Sequence, residues 1–296
     1  MSELQSIEAL IVFCEGPHDV AFMDKVLRHC LAFERVREWT FSDYPSPLHT
    51  LFSQSVQRHA QQDLSLDMAH KFFLPDRVYQ KDQQAVLLFN SGGKTKHRQV
   101  STWLAQFQEL LALAESANYG EERHYIEQAR YLFLYDADED GLEGTRADSQ
   151  EWFAEINGEP WLGEWQACSD YPFAALSGND KALYIWGETP ESGTLEDWLL
   201  PLFKQKDPEL LVKAEASMKE LFDWSVSDQQ SQVAMHSKYQ KAVMTLAGQR
   251  EKPGCSMSVV IDQAKKRIGK CEFRQDANVR MFAAFLMWFM GLVPDE

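Results

Sequence analysis

Basic charge is in short supply in this chain. Its 296 residues carry 29 Lys plus Arg against 45 Asp plus Glu, a formal net charge of −16. That balance argues against a molecule that grips nucleic acid with a generally basic face, so any polyanion site has to be local and metal-assisted. Cysteine is also scarce. The five (Cys14, Cys30, Cys168, Cys255 and Cys271) are odd in number, widely spaced and without a CxxC pair. They speak against a disulfide framework or a structural zinc site and fit a reducing cytoplasm. The first ten residues, MSELQSIEAL, hold acids where a signal peptide has a basic start and an apolar stretch. The longest apolar run, Met281 to Val293 behind Arg280, spans thirteen residues, and a membrane span needs about 20. It reads as a buried C-terminal helix, with an oligomer contact as the alternative, and no membrane association is expected. No fixed-period repeat and no Gly/Ser- or Pro-rich linker divides the chain, which therefore reads as one architecture with an insertion.

What is present is the composition of a folded protein, 45% apolar, 25% charged and 12% aromatic, at a length that suits one large or two small domains. Strand and helix patterns alternate. Ala9 to Cys14 is a short, continuous apolar run, as in a strand buried on both faces of a parallel sheet. It ends at Glu15-Gly16-Pro17, after which apolar residues recur at helical spacing. Residues 43–82 interrupt the alternation and read as a helical or irregular insertion. Ala85 to Phe89 resumes the strand pattern, followed by Ser91-Gly92-Gly93-Lys94 and a helix from about His97 to Ala114. Tyr131 to Tyr135 is a third strand and Leu183 to Trp186 a fourth; beyond Pro208 the pattern is helical. The fold class expected is α/β, a parallel sheet flanked by helices. Each acidic cluster falls at a strand's carboxyl end, where open α/β sheets bind ligands.

Those clusters carry the chemistry. Glu15 and Asp19 start the first helix, where acids are favoured by the macrodipole and free N–H groups alone. Asp136, Asp138 and Asp140 lie within the five residues that follow a hydrophobic strand, and crowded carboxylates raise one another's pKa unless a cation compensates. Magnesium suits the task, because it takes one or two carboxylates, keeps waters and recruits phosphate oxygens. A calcium EF-hand loop beginning at Asp136 would put Ala147 where a bidentate Glu is needed, and a strand-like run precedes it. A phosphotransfer site with Asp136 as nucleophile and Asp138 as general acid suits a strand end but leaves Glu15 and Asp19 unused. The Gly92-Gly93-Lys94 turn is not a P-loop, because Leu88 stands where the first glycine belongs. Its N–H groups can still meet a phosphate, with Lys94, Lys96, His97 and Arg98 beside it. Lys265, Lys266, Arg267 and Lys270 form the densest basic patch and can track a nucleic-acid backbone. The nine Trp read as core residues.

Glu-Gly-x-x-Asp after the first strand (Glu15 to Asp19) and Asp-x-Asp after a later one (Asp136, Asp138) resemble the TOPRIM domain of topoisomerases, primases and nucleases. Ser91 to Lys94, and Ser192-Gly193-Thr194-Leu195-Glu196-Asp197 opening a helix, narrow the resemblance to TOPRIM proteins of the OLD (overcoming lysogenization defect) nuclease type and their stand-alone bacterial relatives. It covers residues 8 to 205 and leaves the C-terminal helices without a motif. The resemblance implies a catalytic domain over 1–205, interrupted at 43–82, with a helical region over 206–296 packed on it. It implies a cytoplasmic nuclease needing Mg²⁺ or Mn²⁺, with DNA or RNA as substrate. One ion would lie on Glu15, Asp136 and Asp138, and a second on Asp19 and Glu196. Glu15 could instead be a general base, with Asp140 and Asp197 peripheral. A downstream lysine, Lys241 or Lys238, would neutralise charge on the scissile phosphate. By analogy the setting is phage defence with a separate ATPase protein. The competing readings are a non-catalytic module docking on a partner protein and a phosphatase-like enzyme.

Overall fold

Period-two burial builds the sheet. The computed structural model describes residues 5–60, 74–116, 124–222, 229–262 and 268–292. Its strands are β1 (Gln5–Cys14), β2 (Glu34–Val36), β3 (Arg77–Lys81), β4 (Gln84–Asn90), β5 (His124–Asp136), a separate small hairpin of β6 (Glu155–Ile156) and β7 (Glu159–Pro160), β8 (Gln166–Ala167), β9 (Ala174–Ser177) and β10 (Lys181–Trp186). The main sheet runs β2-β3-β4-β1-β5-β10-β9-β8. Its four central strands, β4, β1, β5 and β10, are parallel. The outer ones, β3 and β2 on one side and β9 and β8 on the other, pair antiparallel. The fold is thus α/β with a parallel centre, and the four central strands all point their carboxyl ends the same way.

Each central strand feeds two cores. Leu10, Val12, Val86, Leu88, Leu132, Leu134, Tyr184 and Trp186 face one side, and Ile11, Phe13, Leu87, Phe89, Phe133, Tyr135, Leu183 and Ile185 face the other. On the first side lie α1 (Pro17–Lys25) and helices that follow the sheet in sequence. Helices α2 (Leu48–Ala60), α3 (His97–Ser116) and α4 (Gly141–Phe153) cover the second. The sheet's chain leaves β10 for α5 (Leu195–Lys206), then α6 (Pro208–Lys219), α7 (Gln229–Gln249), α8 (Met257–Asp262), α9 (Lys270–Gln275) and α10 (Ala277–Met290). The apolar C-terminal run is α10, whose Val279, Phe282, Phe285 and Leu286 are fully buried against the first face. Among the described residues no helix is long and apolar enough to cross a membrane.

The interruption at 43–82 is part helix, α2, and part strand. Its last residues, Arg77–Lys81, form β3 and zip antiparallel onto β4. The pattern RVYQK alternates too briefly to announce a strand, and its partner supplies the missing information. The middle of that interruption, 61–73, lies outside the described residues.

Candidate active site

Glu15 follows β1 directly. Its N–H donates to the Leu134 carbonyl at 3.1 Å, carrying the parallel register one step past the strand. Gly16 then caps α1, with Pro17 in the first turn, where its missing N–H costs nothing. Asp19 reaches back over that turn: its Oδ2 accepts from Gly16 N at 2.7 Å and its Oδ1 from the Trp186 indole Nε1 at 2.7 Å. Both Asp19 oxygens are thereby engaged in tying α1 to its own cap and to the end of β10. Glu15 turns across to β5, where its Oε2 accepts the Asp136 N–H at 3.0 Å.

Asp136 ends β5 and is 9% exposed. Its Oδ1 accepts the Leu195 N–H at 2.8 Å, satisfying a first-turn donor of α5, and its Oδ2 lies 3.9 Å from Lys241 Nζ on α7. Two residues on, Asp138 sits in the left-handed region at φ 49° and pairs with Gly193 through two backbone hydrogen bonds, at 2.8 and 3.3 Å. Gly193 has φ 139°, and a Cβ there would collide with Glu188 N. This bridge locks the segment that opens α5. There Asp197 Oδ2 accepts the Thr194 N–H at 2.8 Å, and the Glu196 side chain is 1% exposed. Glu196 Oε1 lies 3.5 Å from His18 Nδ1, and its Oε2 lies 3.5 Å from Lys241 Nζ. Lys94 Nζ donates to Asp138 Oδ2 at 2.9 Å.

Five carboxylates, Glu15, Asp19, Asp136, Asp138 and Glu196, thus meet two ammonium groups at the carboxyl ends of β1 and β5. Burial, then repulsion from Asp19, pushes Glu15 up to about 7, against the pull of Lys94 and the Asp136 N–H. Burial raises Asp19 to about 6, opposed by the Gly16 and Trp186 hydrogen bonds and helped by Glu196. Asp136 is driven well above the usual carboxylate range by burial and then by Glu196, Asp19 and Glu15. Burial acts the same way on Glu196, but His18 and Lys241 outweigh it and hold that pKa low. Burial would discharge Lys94 and Lys241, yet Asp138 with Glu15 holds the first charged, and Glu196 with Asp136 the second. Negative charge is under-compensated, which is the condition that recruits a cation.

Among the described residues no group of three or more His, Cys, Asp or Glu stands ready-made as a metal cage. Lysines and backbone N–H groups occupy several of the oxygens instead. Glu196 Oε2 is buried without a hydrogen-bond partner. Hard carboxylate oxygens of this kind suit Mg²⁺ or Mn²⁺ by donor chemistry.

The residues expected to touch nucleic acid divide. Lys94 is drawn inward onto Asp138, and two amides of the glycine turn are used within the protein: Gly93 N donates to the Glu15 carbonyl at 2.8 Å and Gly92 N to Asn90 Oδ1 at 3.0 Å. The turn thus anchors β4 to β1 and aims Lys94, and those two donors are not open to a phosphate. Lys96 and Arg98 are exposed at the start of α3, while His97 stacks on Trp152 at 4.8 Å. Lys265 and Lys266 lie outside the described residues. Of the two lysines on α7, Lys241 reaches the cluster and Lys238 is exposed. The pattern of motifs missed His18, because it treats the positions between Glu15 and Asp19 as spacers. An imidazole inside an acidic motif at a helix start was the available signal.

No protein-family model matches the chain, and no curated protein matches it. A search of solved structures finds the crystal structure of a hypothetical protein from Pyrococcus horikoshii OT3, at 14% identity over 97% of both chains with a TM-score of 0.47.

Proposed function

We propose that the chain is a divalent-metal-dependent nuclease of TOPRIM type, hydrolysing phosphodiester bonds of DNA or RNA. The observation that carries this reading is the convergence of Glu15 with Asp136 at two strand ends, 121 residues apart in sequence: the Glu15 carboxylate accepts the Asp136 main-chain N–H, and both carboxyl groups lie in a buried, mutually repelling set of acids. Glu15, Asp136 and Asp138 would hold the ion, which when bound stabilises charge on phosphate oxygens and acidifies water. Glu196 borders them. Asp19 has both oxygens committed, which favours this first ion over a second one on Asp19 and Glu196.

The chain's own groups divide the remaining work. In the alternative role, with the ion on Asp136 and Asp138 alone, Glu15, which burial raises to about 7 in the metal-free chain, can accept a proton from an attacking water near neutral pH. Lys241 presents its ammonium beside Asp136 and Glu196, where it can neutralise charge building on a phosphate. Burial of Asp136 and Glu196 keeps the field of these charges from being screened by water. A second reading, a non-catalytic module that docks on a basic partner, draws on the two lysines that already answer the acids without an ion.

The test is cleavage of plasmid DNA and of RNA with Mn²⁺ or Mg²⁺, with and without chelator. Metal-dependent cleavage should fall at least a hundredfold in Glu15→Gln and in Asp136→Asn, whose amide can still accept the Leu195 N–H. Cleavage unchanged in both variants rejects the site, and no cleavage of either nucleic acid favours the docking module.

A further inference from the structure

Lys94 and Lys241 answer the same acids by different means. Lys241 Nζ stands 3.9 Å from Asp136 Oδ2 and 3.5 Å from Glu196 Oε2, an attraction of charges without a hydrogen bond. Lys94 Nζ instead donates a hydrogen bond of 2.9 Å to Asp138 Oδ2. Asp138 is a ligand of the ion in either arrangement proposed above, so Lys94 already holds a group that the ion needs. The pair sits toward solvent: the Asp138 side chain is 38% exposed, against 13% for Asp136. Which of the two partners can yield follows from how each is tied down. Asp138 is fixed by its two backbone hydrogen bonds to Gly193. The Lys94 main chain is fixed as well, because Gly93 N donates to the Glu15 carbonyl and His97 Nδ1 donates to the Lys94 carbonyl at 3.1 Å. The part left to move is the four-carbon stem of Lys94. Its ammonium has three N–H groups, and among the described residues Asp138 is the one hydrogen-bond acceptor they meet.

Charge decides what the stem does when an ion arrives. A divalent cation on Asp138 repels an ammonium bonded to the same carboxylate, and the low polarizability of a largely buried site strengthens that repulsion. A substrate phosphate beside the ion offers the ammonium another anion, within a charge-assisted hydrogen bond. Lys96 and Arg98, both exposed, flank the same turn and extend the cationic edge outward. We infer that Lys94 is an exchangeable counter-cation: the ion takes its place on Asp138, and the released ammonium clamps a phosphate of the substrate. No proton moves in the exchange, since Asp138 and Glu15 hold Lys94 charged against burial and the phosphate does so afterwards. The glycine turn, two of whose amides are spent inside the protein, then serves the phosphate through the lysine that it aims. The inference deepens the nuclease reading and rests on it for the ligands of the ion.

Lysine acetylation of the full chain, read residue by residue by mass spectrometry, reports the exchange without any turnover. Lys94 should react severalfold faster in Mn²⁺ than in chelator while exposed Lys96 keeps its rate, and thymidine 3′,5′-bisphosphate added with Mn²⁺ should slow Lys94 again. Lys94→Met keeps the apolar stem and removes the competing charge, so it should bind Mn²⁺ at least about tenfold tighter than wild type, followed by electron paramagnetic resonance. Lys94 reactivity indifferent to Mn²⁺, no protection by the bisphosphate, or Mn²⁺ binding that is unchanged or weaker in folded Lys94→Met overturns the exchange. The labelling needs the wild-type chain alone and decides the matter if the variant fails to fold. Mn²⁺ bound by neither chain overturns the exchange and the metal site together. Exchange in a chain that cleaves no polynucleotide rejects the nuclease reading alone; metal-dependent cleavage with Lys94 reactivity untouched by Mn²⁺ rejects the exchange alone.

Discussion

Glu15 sits where its own charge is resisted. A carboxylic acid whose folded pKa, here about 7, exceeds its ordinary value near 4.5 takes up a proton on folding. The folded chain therefore holds its full stability below about pH 4.5 and loses it as pH rises to about 7. Asp19, raised from 3.8 to about 6, acts in the same direction. For Glu15 alone the loss is up to roughly 3 kcal/mol, shared among the interacting acids. Metal-free protein should accordingly melt at a lower temperature at pH 8 than at pH 5, and Mn²⁺ should raise Tm more at pH 8. Glu15→Gln should flatten the pH dependence. A Tm that climbs steadily from pH 5 to 8 without metal would show that the acids are not in conflict. Strand-end spacing made Glu15, Asp19, Asp136 and Asp138 legible in the sequence, whereas Glu196, in the first turn of α5, was reached only through the family resemblance. The sequence could not reveal which of their oxygens are already used: the Trp186 bond to Asp19 and the Lys94 bond to Asp138 join segments 167 and 44 residues apart.

Elements place those residues, and the segment that opens α5 does most of it. Its bridge from Gly193 to Asp138 and its hydrogen bond from Leu195 N to Asp136 fix both acids relative to Glu196. Gly193 can hold that bridge only without a side chain, since φ 139° and the approach of Glu188 N leave no room for one. Gly193→Ala should cost about 2 kcal/mol or more, read as a lower denaturation midpoint. It should also weaken Mn²⁺ binding at concentrations where the chain stays folded. Wild-type stability in that variant would mean the bridge is dispensable. The four parallel strands were readable from sequence because each is a continuous apolar run buried on both faces. The antiparallel edges were not: β2 has three residues and β8 two, too short for a period. Their state is set by the neighbour they pair with.

At the scale of the molecule, acidity and architecture meet at one place. A chain of net charge −16 repels polyanions at long range, so any nucleic-acid substrate must be drawn in by cations at the strand-end pocket. The C-terminal helices take part in this, because α7 carries Lys241 to the acids while α10 seals the sheet face beneath. The central claim is that the carboxyl ends of β1 and β5 form a divalent-cation site. Titration of Mn²⁺ followed by electron paramagnetic resonance at pH 8 tests it most directly. Saturable binding to the wild-type chain, weakened at least tenfold in Glu15→Gln and Asp136→Asn with the fold retained, is the predicted result. Free Mn²⁺ signal that never falls on adding protein, or binding equal in all three chains, would contradict it.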